Sequence, residues 1–105
     1  MTQSELLQRI KERLRETYGP RFRGLMLYGS VARGEAGEDS DVDLLCLLDG
    51  PVNTIKEIRP IIDATSDIRH QYPERPVSIM AADIAEYERG AYPLVIEVKK
   101  EGVPI

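Results

Sequence analysis

Asp41 and Asp43 stand two residues apart at the head of the apolar run Leu44-Leu45-Cys46-Leu47-Leu48. In a strand, positions i and i+2 share a face. The two carboxylates therefore project together, from Cα atoms about 7 Å apart. Like charges held this close repel each other and favour a divalent cation between them. Oxygen ligands alone point to Mg²⁺, with Mn²⁺ as the alternative, rather than to Zn²⁺. Such a centre would bridge nucleotide phosphate oxygens and ionise an attacking hydroxyl. Taken alone, the pair is equally two solvated carboxylates at a strand mouth.

Gly29-Ser30 shifts that balance. It follows an apolar segment with strand character and opens a short helical segment closed by Gly34. A glycine there lets backbone approach an anion closely. The free N–H groups of a helix start can hold a phosphate, and the Ser30 hydroxyl can donate to a phosphate oxygen. Its competing role is an N-cap, using the same hydroxyl on the backbone. Arg33 lies one turn later, so both side chains can face one side. A guanidinium there can clamp a triphosphate, or simply be solvated. Ser40 can orient a carboxylate or touch phosphate, although an ordinary loop serine reads more simply.

These residues need elements to hold them. Leu6, Leu7, Ile10 and Leu14 predict an amphipathic first helix, with Ser4 as N-cap and Gly19-Pro20 as its stop. Within Phe22 to Tyr28, Leu25-Met26-Leu27-Tyr28 reads as a short buried strand, followed by the turn of helix at residues 30–33 and a polar, acidic loop at residues 35–40. Residues 41–48 read as a second strand, covered on both faces because its centre is continuously apolar. Ile55, Ile58, Ile61, Ile62 and Ile68 give Thr54 to about His70 a helical spacing, with Pro60 kinking or starting it. Residues 77–80 form a third strand. A short helix with Asp83 as cap follows, and residues 93–100 are a last helix or strand starting at Pro93. His70 suits a helix end better than catalysis. Tyr87 and Tyr92 either pack or mark a contact surface.

At 105 residues the chain fits a single domain, residues 1–105. A net charge of −4 argues against an extended nucleic-acid surface, though not against a nucleotide held through a metal ion. Cys46 lies within an apolar run and reads as a core residue. The first residues lack the cationic and apolar blocks of a signal peptide. No apolar run nears the roughly 20 residues of a membrane span. A cytoplasmic protein is the expectation.

Gly29-Ser30-Val31-Ala32-Arg33-Gly34, six further residues and then Asp41-Val42-Asp43-Leu44 resemble the signature of the DNA polymerase β-like nucleotidyltransferases. Ser40-Asp41-Val42-Asp43-Leu44 matches the whole of that family's second block. The small size resembles the minimal nucleotidyltransferases, which often pair with a helical HEPN partner in toxin–antitoxin modules. The resemblance implies an α/β (α+β) fold, a small mixed sheet flanked by helices like the polymerase β palm. It implies Gly29 and Ser30 on nucleotide phosphate, with Asp41 and Asp43 as catalytic metal ligands. Arg33 and Ser40 join the nucleotide-binding set. The implied activity is Mg²⁺-dependent transfer of a nucleoside monophosphate, AMP from ATP, to a hydroxyl such as a tyrosine of a HEPN-type toxin. So short a chain would take its acceptor surface from a partner chain or a second subunit.

Active members of that family usually bring a third carboxylate from the next core strand. The corresponding position here is Ser78, and a neutral hydroxyl replaces a carboxylate base poorly. Asp83, Glu97, Asp63 and Asp67 are the acids that might have replaced it; Asp83 reads better as a helix cap, and Glu97 serves only if its segment returns to the site. Two functions are therefore expected. One is an adenylyltransferase; the other is a degenerate domain that neutralises a partner by binding. A nucleotide sensor without turnover is a third, weaker reading.

Overall fold

A computed structural model describes residues 1–37 and 40–105. Glu38 and Asp39, within the expected acidic loop, lie outside the described residues. The first helix, α1, covers Gln3–Tyr18 and buries Leu6, Leu7, Ile10 and Leu14, the stripe that its periodicity marks. Its cap is Thr2, not Ser4. The Thr2 hydroxyl oxygen accepts from the Glu5 backbone N–H at 3.1 Å and donates to the Glu5 carboxylate at 3.2 Å. The Thr2 side chain thus caps the helix and is itself held by Glu5, which places Ser4 inside the helix. Gly19 at φ +57° ends it, and a 3₁₀ turn over Gly19–Arg21 leads onward.

Strand β1 (Phe22–Tyr28) runs directly into the five-residue helix α2 (Gly29–Arg33). Strand β2 covers Val42–Leu48, so the expected strand loses its first residue and Asp41 stands just before it. Helix α3 (Thr54–His70) is capped by Asn53 and continues through Pro60. Strand β3 extends three residues past the expectation, over Val77–Asp83, before α4 (Ile84–Glu88). The Asp83 side chain caps α4, accepting from the Ala85 N–H at 2.8 Å. The last segment settles as helix α5 (Pro93–Glu101), followed by an unexpected strand β4 (Val103–Pro104).

The four strands form one mixed sheet in the order β3-β2-β1-β4. β1 pairs antiparallel with both β2 and β4, whereas β2 and β3 are parallel and joined through α3. Central β2 has both faces covered. Val42, Leu44, Cys46 and Leu48 pack with α1 and α3 on one side. Leu45 and Leu47 meet Val95 and Val98 of α5 on the other. The Cys46 thiol is fully buried, and that burial pushes its pKa up to about 12. Among the described residues, no helix is long and apolar enough to cross a membrane.

Only part of the isoleucine series of α3 reaches the core. Ile61 and Ile68 are buried together with Thr65, while Ile55, Ile58 and Ile62 are exposed by 80%, 46% and 41%. Of these, Ile58 and Ile62 line one groove with Ser78 and Met80 of the edge strand β3.

Pro60 lies exposed inside α3, where it supplies no backbone donor to the preceding turn. Pro60→Ala should raise stability by about 1–3 kcal/mol, read as a higher urea midpoint at unchanged slope. A lower midpoint would show that the proline ring makes packing contacts the helix depends on.

Candidate functional site

The site forms where β1 passes into α2. Tyr28, the last residue of β1, lies opposite Asp43 in the antiparallel ladder. Gly29 follows at φ +76°, a conformation that L side chains rarely adopt. A Cβ at Gly29 would also collide with the Asp43 carboxylate. The glycine therefore serves two ends: it turns the chain from strand to helix and leaves room for Asp43. No side chain caps the start of α2, whose N-cap position is Tyr28. Ser30 consequently does not spend its hydroxyl as an N-cap, and the amides of that first turn stay available to an anion. Gly34 at φ +72° closes the turn, donating to the carbonyls of Ser30 and Val31.

Asp43 has the same phase along β2 as Leu45 and Leu47, which puts its carboxylate on the α5 side of the sheet. Asp41 shares that phase one step earlier and is exposed. The Asp43 pKa is raised, first by burial and then by the negative charges of Asp41 and Glu97. Tyr28 is raised as well, by burial and then by Asp43 and Glu97. Among the described ion pairs, none involves Asp41 or Asp43. Among the described residues, the two aspartates thus carry their negative charge without an ion-pair partner.

That donor set suits a divalent ion completed by phosphate and water. Mg²⁺ commonly uses one or two carboxylates and takes the rest of its shell from substrate and solvent. Among the described residues, no group of three or more His, Cys, Asp or Glu side chains is arranged to hold a metal. Ser78 accounts for the shortfall. It sits directly beside Asp43 in the parallel β2–β3 register, so the neighbouring strand offers a hydroxyl at that point.

Of the acids considered as replacements, Glu97 alone has a visible influence on the site, through the charge it places on Asp43 and Tyr28. Asp63 pairs with Arg59 at 3.2 Å and Asp67 with Arg13 at 2.8 Å, both as surface contacts of α3. Asp83 is occupied by its capping bond. Arg33 is not held free for phosphate. Its guanidinium meets Glu35 at 3.1 Å and Glu101 at 3.0 Å, and approaches Glu97 at 4.0 Å, tying α2 to α5. Ser40 acts as a turn residue, its hydroxyl accepting from the Gly37 N–H at 3.0 Å. His70 ends α3, and Tyr87 and Tyr92 pack against the α5 side of the core. Sequence reasoning passed over Tyr28, whose place next to Gly29 was the available signal, and Arg75, whose contacts no local pattern reveals.

A family model described as "Nucleotidyltransferase domain" matches residues 7–91. No curated protein gives a significant match. Among solved structures, a toxin–antitoxin complex with AMP-PNP superposes at TM-score 0.60 and 15% identity, over 98% of this chain and 72% of that one. A mutant of the toxin–antitoxin MntA–HpeT gives 0.60 and 17%, over 92% and 69%. A proposed minimal nucleotidyltransferase gives 0.56 and 29%, over 100% and 97%. The first two likenesses are of fold.

The raised Asp43 pKa has a consequence for stability. A carboxylate whose folded pKa exceeds its unfolded value opposes folding once ionised. The cost is absent below the unfolded value of about 3.9, grows as pH rises through the folded value and is complete above it. Asp43→Asn should therefore raise the melting temperature at about pH 7 and give no gain near about pH 3. A lower melting temperature at neutral pH would mean that the protein itself compensates this charge.

Proposed function

The chain belongs to the nucleotidyltransferase domain family, and from that premise we propose that it transfers AMP from ATP to a hydroxyl, with Mg²⁺ as the metal. The acceptor in this reading is a tyrosine on a HEPN-type toxin partner. The observation that carries it is the Asp43 carboxylate set against Gly29 at the uncapped start of α2, with the charge of Asp41 acting on it. The amides and hydroxyl at Ser30 receive phosphate oxygens, and Asp41 and Asp43 hold the metal. Bound there, the metal would screen the triphosphate and lower the pKa of the acceptor hydroxyl. The hydroxyl oxygen bonds to the α-phosphorus, the bond from that phosphorus to pyrophosphate breaks, and the hydroxyl proton passes to solvent. Arg33 can reach the phosphates only by leaving Glu35 and Glu101, an exchange of carboxylate for phosphate partners. The fold likeness to a toxin–antitoxin complex solved with AMP-PNP supports both the nucleotide and the protein partner.

A second reading, direct neutralisation of a partner without transfer, is favoured by Ser78 beside Asp43. The exposed strip of Ile55, Ile58, Ile62 and Met80 also favours a docked protein, because apolar area of this kind marks an interaction surface.

The readings separate in one assay, using the product of the adjacent reading frame with labelled ATP and Mg²⁺. The enzyme reading predicts label on the partner, reduced at least about 100-fold by Asp41→Asn or Asp43→Asn, as expected when several kcal/mol of metal stabilisation are lost. Absence of label, with neutralisation surviving both substitutions, selects the binding reading.

A further inference from the structure

Asp41 is the less secured of the two carboxylates. The β2 ladder begins only at Val42, whose N–H donates to the Pro76 carbonyl at 2.9 Å. Asp41 stands outside that ladder and is exposed. Its backbone direction is therefore set by what holds the residue before it. Ser40 bonds back to Gly37: its N–H donates to the Gly37 carbonyl at 3.2 Å, and its hydroxyl accepts from the Gly37 N–H. Those bonds join the two residues to each other but not to the sheet.

Arg75 makes that attachment. Its Nη1 donates to the Gly37 carbonyl at 2.7 Å and to the Ser40 carbonyl at 3.0 Å. One terminal guanidinium nitrogen carries two hydrogens, so both bonds form together. The guanidinium donor makes each bond a charge-assisted one. Arg75 immediately precedes Pro76, the residue that receives the Val42 N–H. The segment leading into β3 thus grips the chain on both sides of Asp41, at Ser40 through Arg75 and at Val42 through Pro76. Three residues beyond Arg75, Ser78 lies beside Asp43. β3 places a hydroxyl beside one carboxylate, and the two residues just before β3 hold the backbone on either side of the other.

We propose that Arg75 is a positioning residue that orients the Asp41 carboxylate for metal–nucleotide binding by tying Gly37 and Ser40 to the segment that enters β3. The proposal rests on the nucleotidyltransferase reading above. It assigns to Arg75 the part that groups behind metal ligands play, whose loss commonly weakens metal affinity about 10- to 100-fold.

Mn²⁺ affinity in the presence of saturating ATP, followed by the loss of the free-ion paramagnetic resonance signal, tests it. The variants are Arg75→Ala, Arg75→Lys and Arg75→Gln. Arg69→Ala is the matched control, because Arg69, like Arg75, donates from Nη1 to a backbone carbonyl, that of Val77 at 3.0 Å, but not to Gly37 or Ser40. Arg75→Ala should weaken Mn²⁺ about 10- to 100-fold, whereas Arg75→Lys, a cation with three donors, recovers most of it and Arg69→Ala changes little. Melting temperatures are read alongside. Should Arg75→Ala unfold the domain, the contrast between Arg75→Lys and Arg75→Gln decides, the lysine binding Mn²⁺ more tightly. Wild-type Mn²⁺ affinity in Arg75→Ala, or an equal loss in Arg69→Ala, overturns the positioning role. A wild-type protein that binds ATP with no Mn²⁺ at all removes the underlying reading and this proposal together.

Discussion

The contact between Gly29 and Asp43 is the constraint on which the site depends. The antiparallel register sets Tyr28 opposite Asp43, so the residue after Tyr28 must turn the chain while a carboxylate occupies the space of its missing side chain. Only glycine meets both demands, since the backbone there is left-handed and the Cβ position is already filled. The same geometry brings the uncapped start of α2 up to the carboxylates. The amides and carboxylate oxygens proposed to hold phosphate and metal are thus brought together by one strand pair and one turn. Covering β2 on both faces fixes the pairing, because a strand packed between α1–α3 and α5 cannot slip register without exposing its apolar residues.

The charge pattern follows from the same placement. Asp41, Asp43 and Glu97 raise the local negative potential, and Arg33, which approaches Glu97, is engaged by Glu35 and Glu101. An anionic nucleotide would meet repulsion at such a surface unless a metal came with it. With Ser78 in the neighbouring register position, the protein contributes two carboxylates rather than three. Binding and turnover then separate as properties. The former needs the turn and the paired aspartates, and the latter needs a path for the acceptor proton.

Local patterns made much of this legible. The periodicity of α1, the apolar run of β2, Asp83 as a cap and the Gly29–Ser30 and Asp41–Asp43 blocks all depend on neighbours within a few residues. The small mixed sheet with helices on its faces is the architecture that the resemblance implied. What escaped depends on distant contacts. β4 is two residues long and exists because Val103 meets Leu27 across the sheet. The isoleucines of α3 share a helical spacing, yet the sheet covers only the face carrying Ile61 and Ile68. Arg33 reads as a phosphate clamp until α5 brings Glu101 to it, and Arg75 is an ordinary surface cation until the fold places it under the turn before Asp41. The Ser4 cap is a different kind of miss. Thr2 with Glu5 was present in the sequence as the stronger local pairing.

The central claim is that nucleotide enters this site as a metal complex, held between α2 and the two aspartates. Calorimetric titration of the protein with ATP, with and without Mg²⁺, tests it most directly. The account predicts saturable binding with Mg²⁺ and little or none when the metal is chelated. Equal affinity in both conditions, or no binding in either, would contradict it.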